Sequence, residues 1–260
     1  MSKGLGERLR ARKALVVYLT VGDPLVWNER VMRALTSSGV DLFELGIPAT
    51  MAKYDGPSIR ASYKRALKSG VNIEHALSLI KEVDGLEGSI LFMYYDVALA
   101  YGLESLMKRV AEAGIKCVLF PDLLIDHLEN LRDYVGLCKE YGLENAFFIT
   151  SCFPYRLIAK LAELEPSFIY LGLMPSSGTL LPIAIDRNIK IIRSLIGGTP
   201  LLVGFALSEP RQISLCVNAG ADGVIIGSAI LRVLIEGGFE VTKLRSFVLS
   251  LKEVLLEGSR

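Results

Sequence analysis

Two carboxylates in this chain stand where acid/base chemistry would need them. Glu44 lies in the apolar run VDLFELGIP (40–48), which is typical of a buried strand. Burying an unpaired carboxylate costs roughly several kcal/mol, so structural reasons alone rarely place one there. Because side chains alternate along a strand, Glu44 shares the inward face with Gly46. Asp55 follows in the next loop, and the two acids together predict acid/base catalysis.

The two acids would need different protonation states. One carboxyl must be able to carry a proton, and the other must stay ionised. A buried strand end would favour the protonated form of Glu44, and a wetter loop would leave Asp55 charged.

Glycine-rich segments near the C-terminal end indicate a phosphate site. Residues 203–208 (VGFALS) follow one apolar run, and residues 223–229 (GVIIGSA) lead from another into a short helix. Amide groups at a helix start bind phosphate through hydrogen bonds and the helix dipole. Gly227 and Ser228 are the expected ligands, although they could equally form only a turn and a helix cap. The loop around Gly178 is rich in hydroxyl groups and is either a cover for the phosphate or a plain connection.

Composition limits the ligand to a small molecule. Lys plus Arg number 29 and Asp plus Glu 28, so no global charge would attract nucleic acid or a membrane surface. The apolar stretch 14–20 is far shorter than the roughly 20 residues that a spanning helix needs. We therefore expect a cytoplasmic protein.

Cysteines and histidines give little support for a metal site. The four cysteines (Cys117, Cys138, Cys152 and Cys216) are scattered and predict buried, reduced thiols. The two histidines lie in helical surroundings, so no metal is expected. The basic segment 1–13 predicts a solvated helix or a frayed end, with an interaction arm as the alternative.

Short apolar runs alternate with helical patterns along the whole chain, which indicates repeated βα units. The predicted strands lie near 14–20, 40–46, 88–95, 116–121, 145–150, 167–172, 200–204 and 223–227. The predicted helices lie near 25–38, 58–69, 73–83, 103–114, 125–141, 154–164, 186–196, 209–219 and 240–257. Eight such units predict one α/β domain over 1–260, a (β/α)8 TIM barrel closed by helix 240–257, although periodicity alone also permits a doubly wound sheet. In a barrel, the chemistry would lie at the carboxyl ends of the strands, where Glu44, Tyr94, Asp96, Asp122 and Tyr170 fall.

Several segments, taken in order, resemble the tryptophan synthase alpha chain family. The pair FELGIP (43–48) and DGP (55–57), at the family's spacing, is the most specific. The others are YLTVGDP (18–24), FPDL (120–123), FIY (168–170), VGF (203–205) and the run 220–228.

The resemblance implies a single barrel that cleaves indole-3-glycerol phosphate to indole and glyceraldehyde 3-phosphate without a cofactor. Glu44 would shuttle the proton, and Asp55 would stabilise the charge on the indole nitrogen. The resemblance also implies an aromatic pocket made by Tyr94, Tyr170 and Phe205, and phosphate ligands at Gly204, Gly227, Ser228 and Gly178. Pyridoxal phosphate would be found only on a partner beta subunit.

The loop 49–54 (ATMAKY) departs from the family's pattern where that loop meets the beta subunit, and Met51 replaces its aspartate. A variant beta partner is one interpretation. Two alternatives remain: another isomerase or lyase acting on a related sugar phosphate, and a barrel that mainly regulates a beta subunit.

Overall fold

Eight parallel strands close into a barrel in the order in which they occur along the chain. The computed structural model describes residues 4–86, 88–173 and 185–257. The strands are β1 Ala14–Thr20, β2 Leu42–Gly46, β3 Ile90–Phe92, β4 Cys117–Leu119, β5 Glu144–Thr150, β6 Phe168–Gly172, β7 Leu201–Gly204 and β8 Gly223–Ile226. β1 pairs with β8 as well as with β2, which closes the sheet. The (β/α)8 barrel is confirmed, and the doubly wound sheet is excluded.

Helices cover the outside of the barrel. In chain order they are α1 Leu5–Ala11, α2 Glu29–Ser37, α3 Pro57–Lys68, α4 Ile73–Lys81, α5 Tyr95–Tyr101, α6 Leu103–Glu112, α7 Leu123–Asp126, a 3-10 turn Leu128–Asn130, α8 Leu131–Glu140, α9 Tyr155–Ala162, α10 Ile185–Ile196, α11 Pro210–Asn218, α12 Ser228–Glu236 and α13 Val241–Glu257. Over the ranges that the structure describes, none of these helices combines the length and the apolar character needed to cross a bilayer.

The structure corrects several predicted boundaries. The predicted strands 88–95 and 116–121 are shorter than expected, so Tyr94, Asp96 and Asp122 lie beyond the strand ends. Asp122 Oδ1 instead accepts a hydrogen bond from the Tyr95 amide at 2.7 Å, which fixes the start of α5, a helix that the sequence pattern missed. The predicted helix 125–141 is divided into α7, the 3-10 turn and α8, because the backbone leaves the helical region at His127.

Both ends of the described chain pack against the barrel. α1 buries Leu5 and Leu9, and Glu144 Oε1 accepts a hydrogen bond from the Leu5 amide at 2.8 Å. The described part of the basic N-terminal segment is therefore a packed helix and not a frayed end. α13 packs against α2, α11, α12 and β1, and it buries Leu244, Val248, Leu251 and Leu255.

Glycines leave room for aromatic rings on neighbouring strands at the carboxyl end of the barrel. A Cβ atom added at Gly46 would lie 2.0 Å from the hydroxyl of Tyr18, and one at Gly204 would lie 2.4 Å from that of Tyr170. Contacts this short are impossible, so these positions must lack side chains if the rings are to keep their places.

A buried ion pair joins the loop after β1 to α3. Asp23 is fully buried, and its carboxylate accepts hydrogen bonds from Arg65 Nε at 2.9 Å and Arg65 Nη2 at 2.6 Å. The hydroxyl of Ser62 and the amide of Leu25 also donate to Asp23. The pair therefore stabilises the carboxyl end of β1 against the helix that follows the Asp55 loop.

Replacing Arg65 with methionine should lower the free energy of unfolding by about 3 kcal/mol, because Asp23 would remain buried without its counter-charge. Urea denaturation measures the change. Arg33→Met is the matched control, since Arg33 is 77% exposed and pairs only with an exposed Glu29; its effect should stay within about 0.5 kcal/mol. Equal effects of the two substitutions would contradict a structural role for the Asp23 pair.

Candidate active site

Glu44 lies near the carboxyl end of β2 with its side chain inside the barrel. In the strand register it is opposite Tyr18 of β1 and Ile90 of β3. Only 2% of the residue is exposed, and within the described residues its Oε1 atom has no hydrogen-bond partner. Burial raises the pKa of Glu44 well above its ordinary value of 4.5, and the charge of Asp55 raises it further. Burial and the nearby charge of Asp55 therefore both favour the protonated form of Glu44.

Asp55 lies in the loop between β2 and α3 and is also buried, at 4% exposure. Its Oδ2 atom accepts a hydrogen bond from the hydroxyl of Tyr94 at 2.8 Å. Burial raises the pKa of Asp55 from 3.8 to about 6, while the Tyr94 hydrogen bond and the charge of Arg60 oppose the rise. The expectation of a wetter loop was wrong, because the loop folds inward beneath Tyr94. Asp55 is nevertheless the more acidic partner near neutral pH, since Glu44 has no donor in the described chain and Asp55 has one.

Both acids line one cavity of about 410 Å3 at the carboxyl end of the barrel. Its other described lining residues are Tyr18, Ile59, Phe92, Tyr170, Phe205, Ala206, Leu207, Ile225, Gly227 and Ser228. The wall is mostly apolar with a few convergent polar groups, as in small-molecule sites. The cavity is suited to an aromatic ligand that carries polar groups at its ends.

The aromatic wall comes from β5, β6 and the loop after β7. The Tyr170 ring meets Phe148 and Phe205 edge-on, with centroid distances of 5.3 Å and 5.9 Å. Phe205 and Ala206 both have positive φ angles, 69° and 59°, which non-glycine residues rarely adopt. Such strain is found mainly at functional sites.

The start of α12 faces the same cavity. Gly227 is the N-cap, Ser228 is the first helical residue, and no side chain caps the helix. Ser228 is 6% exposed and lines the cavity. Its hydroxyl group does not serve as a helix cap, so it and the first amide groups of α12 are arranged as an anion site would require.

Two of the predicted site residues, Tyr94 and Gly204, lie outside the described lining of this cavity. Tyr94 does not line this cavity; it supports Asp55 from behind. Gly204 is also absent from the lining, and its α-carbon contacts the Tyr170 ring. Gly178 lies outside the described residues.

Sequence reasoning did not assign Tyr18 to the site. Its hydroxyl lies 3.3 Å from Thr20 Oγ1, and the charges of Asp55 and Glu44 add to burial in raising its pKa. The position of Tyr18 in β1 could have indicated its place in the site, because β1 pairs with β2 and Tyr18 is opposite Glu44. Tyr63 of α3 is also buried, and burial together with its interaction with Tyr18 raises its pKa well above the ordinary value.

One group of side chains on the rim has ligand atoms close enough together to hold a metal ion: Asp96, Asp122 and His127, within 4.8 Å of one another. Asp122 already accepts hydrogen bonds from two backbone amides. The ammonium of Lys53 lies 3.0 Å from Asp96 Oδ2, which neutralises the most exposed of the three. The carboxylates of this group therefore already have hydrogen-bond and ion-pair partners, which would compete with a metal ion.

Comparisons with known proteins point to one family. A profile described as tryptophan synthase alpha chain matches residues 6–253. The tryptophan synthase alpha chain of Saccharolobus solfataricus is 34% identical over 228 residues, which cover 87% of this chain and 91% of that protein. The Arabidopsis thaliana tryptophan synthase alpha chain is 32% identical, with coverages of 97% and 96%.

Solved structures give the same result. A variant of the tryptophan synthase alpha-subunit from Pyrococcus furiosus superposes with a TM-score of 0.80 at 26% identity, covering 93% of this chain and 98% of that chain. A Mycobacterium tuberculosis tryptophan synthase chain, at 24% identity and a TM-score of 0.83, with 96% of each chain covered, supports the fold alone.

The barrel, with two buried acids at its carboxyl end, has the architecture of a (β/α)8 enzyme. Sequence similarity over nearly the whole chain narrows this class. The chain belongs to the tryptophan synthase alpha chain family, whose members are lyases of tryptophan biosynthesis. The resemblance and the class of activity expected from the motifs are confirmed.

Asp55 should make stability depend on pH. Its folded pKa is above its ordinary value, so the folded state favours the proton. The contribution of Asp55 to stability is fully present below 3.8 and is lost as pH rises through about 6. Asp55→Asn removes this penalty. The stability of the variant relative to wild type should therefore grow by about 2 kcal/mol between about pH 4 and about pH 7.

Urea denaturation across this pH range measures the difference. Asp84→Asn, the same substitution at an exposed position, is the control and should show a constant difference. A constant difference for Asp55→Asn as well would mean that Asp55 titrates normally.

Proposed function

We propose that this protein cleaves indole-3-glycerol phosphate to indole and glyceraldehyde 3-phosphate by acid/base catalysis. The observation that carries the proposal is that Glu44 and Asp55 line a single, largely apolar cavity, with the start of α12 also facing it. No lysine occurs among the described lining residues, so nothing there favours the alternative chemistry of a Schiff-base isomerase.

Glu44 begins the reaction as an acid. Burial favours its protonated form, so it can donate a proton to C3 of the indole ring. The ring then carries positive charge on its nitrogen, and the bond from C3 to the glycerol carbon is weakened because its electrons can return to the ring. An ordinary exposed glutamate would already have lost this proton at neutral pH.

Asp55 stabilises the charge that forms. Its carboxylate would accept a hydrogen bond from the indole N–H, and this interaction strengthens as the nitrogen becomes positive. The hydrogen bond from Tyr94 to Oδ2 fixes the orientation of the carboxylate. Asp55 must be ionised for this role, which its pKa of about 6 permits at neutral pH.

Glu44 ends the reaction as a base. As a carboxylate it removes the proton of the glycerol hydroxyl next to C3, the carbon–carbon bond breaks, and that hydroxyl oxygen becomes the aldehyde oxygen of glyceraldehyde 3-phosphate. The bond electrons return to the indole ring, which becomes neutral. Glu44 regains its proton, so the enzyme is ready for another turnover without any other reactant.

The phosphate would bind at the start of α12. Gly227 and Ser228 supply amide groups at the positive end of the helix dipole, and Ser228 adds a hydroxyl. Tyr170 and Phe205 would hold the indole and glycerol parts between the acids and this end. Gly204 and Gly178 remain predicted ligands, with Gly204 contributing through its backbone.

The proposed reaction uses no cofactor, because the two acids supply both the proton and the opposing charge. The family is one whose alpha chain works with a beta subunit, and we propose such a partner here, with pyridoxal phosphate on that subunit. A cytoplasmic location fits a biosynthetic enzyme with a soluble substrate.

Glu44→Gln should lower kcat for indole release by about 1,000-fold, because the amide cannot transfer the proton. Asp55→Asn should lower it by about 100-fold, because the opposing charge is lost. Indole formation by the purified chain is the measurement. Glu112→Gln and Asp84→Asn, the same changes at exposed positions, should leave the rate unchanged; wild-type rates in the Glu44 and Asp55 variants would refute the assigned roles.

Substitution of Ser228 tests the phosphate end. Ser228→Ala should raise KM about 5-fold by removing one hydrogen bond, and Ser228→Asp should raise it at least about 100-fold through repulsion of the phosphate. Neither change should alter turnover of indoleglycerol, the substrate without its phosphate. Ser194→Ala, on the exposed surface of α10, is the control. Equal losses with both substrates would place the phosphate elsewhere.

A further inference from the structure

Four residues connect the loop that carries Asp55 to the helices that follow β3 and β4. We call them the Lys53 clamp: Lys53, Tyr54, Asp96 and Asp126. The ammonium of Lys53 lies 3.0 Å from Asp96 Oδ2 and 2.9 Å from Asp126 Oδ2. The hydroxyl of Tyr54 donates a hydrogen bond to Asp126 Oδ1 at 3.0 Å. Because Asp96 belongs to α5 and Asp126 to α7, the loop after β2 is fastened to the elements that follow β3 and β4.

The same loop residues lead inward to the site. The amide of Tyr54 donates to the hydroxyl of Tyr94 at 3.0 Å, and that hydroxyl donates to Asp55 Oδ2 at 2.8 Å. The rings of Tyr54 and Tyr94 are stacked, with centroids 6.4 Å apart and an angle of 17° between their planes. Movement of Tyr54 away from the rim would therefore break its hydrogen bond to the Tyr94 hydroxyl. It would also disturb the hydrogen bond from that hydroxyl to Asp55.

Arg60 fixes the backbone on the other side of the loop. Its guanidinium donates to the carbonyl of Ala52 at 3.0 Å and to that of Lys53 at 3.1 Å. The main chain at 52–53 is thus held from α3, while the side chains of Lys53 and Tyr54 hold it from α5 and α7. Met51, 71% exposed, takes no part in these contacts.

Asp55 needs such a restraint. Near neutral pH it is ionised and buried, so its own hydration favours a loop that turns outward into water. The inner contacts from Tyr94 and Arg60 reduce this tendency without cancelling it, because the pKa of Asp55 is still raised to about 6. Contacts made by the two residues immediately before Asp55 oppose this outward movement directly, because they hold the chain next to Asp55.

We infer that Lys53 and Tyr54 are positioning residues: by fastening the 49–55 loop to Asp126 and Asp96, they keep Asp55 turned into the cavity. The consequence for catalysis rests on the proposed function, whereas the restraint on the loop does not. The contacts of the clamp named above all lie within this chain.

The first test does not depend on activity. It measures, as a function of pH, the difference in the free energy of unfolding between the chain with Asp55 and the Asp55→Asn variant. In the wild-type background, this difference changes with a midpoint about halfway between the ordinary pKa of Asp55, 3.8, and its folded pKa of about 6. In a Lys53→Met background, Asp55 can reach water, so its folded pKa should fall by at least about one unit towards the ordinary value and the midpoint by at least about half a pH unit. The other titratable and charged groups around Asp55 are the same in both backgrounds: Tyr18, Glu44, Arg60, Tyr63, Tyr94 and Tyr170.

The second test is kinetic. Lys53→Met and Asp126→Asn should each lower kcat for indole release about 10-fold with KM within about 2-fold, because substrate still binds while Asp55 is displaced. The double variant should lose no more than either single variant, since both remove the same restraint. Lys53→Arg should recover at least half of the wild-type kcat, because a guanidinium can also join two carboxylates.

Lys108→Met, the same substitution on the exposed face of α6, is the matched control and should change neither measurement. An unchanged midpoint in the Lys53→Met background would overturn the inference whatever the kinetics. A shifted midpoint with an unchanged kcat would overturn the positioning role. If the wild-type chain released no indole, the proposed function would fail, and the midpoint alone would still decide the restraint. Tyr54→Phe, which removes only one hydroxyl, decides the same question if Lys53→Met does not fold.

Discussion

A carboxyl group can carry a proton at neutral pH only if it is kept away from water and from cations, and this constraint governs the whole site. Glu44 meets it because a barrel strand holds the side chain inside a closed ring of neighbours. A flexible loop could not do so, since an ionised carboxylate would turn towards solvent. The barrel therefore supplies the burial of Glu44, which the proposed chemistry requires. The loops supply the other groups of the site, such as Asp55.

Asp55 shows the complementary problem. It must be charged close to a second acid, and its charge raises the proton affinity of Glu44. Hydrogen bonding by Tyr94 and the positive charge of Arg60 favour ionisation of Asp55 and leave Glu44 as the protonated partner. Two chemically similar side chains thus acquire opposite roles through their surroundings. The aromatic wall and the start of α12 line the same cavity as these two acids.

Much of this arrangement could be predicted from the sequence, because its signals are local. Apolar runs predicted all eight strands, and an acid inside one of them marked the site. Contacts between distant residues could not be predicted in the same way. The burial of Asp55 depends on Tyr94, 39 positions away, and the Lys53 clamp depends on Asp126, 73 positions away. The helix Tyr95–Tyr101 was missed because its start is fixed by Asp122, which belongs to the next βα unit. The pattern of one segment carries no information about such a partner.

The close fit between glycine and tyrosine inside the barrel also has an evolutionary consequence. Gly46 and Tyr18 occupy the same small volume from two adjacent strands, as Gly204 and Tyr170 do further round the ring. A methyl group could be accepted at either glycine only after the facing ring had become smaller. These positions should therefore vary as pairs among related sequences, and the order of the two changes is fixed: the ring must shrink before the glycine can be replaced.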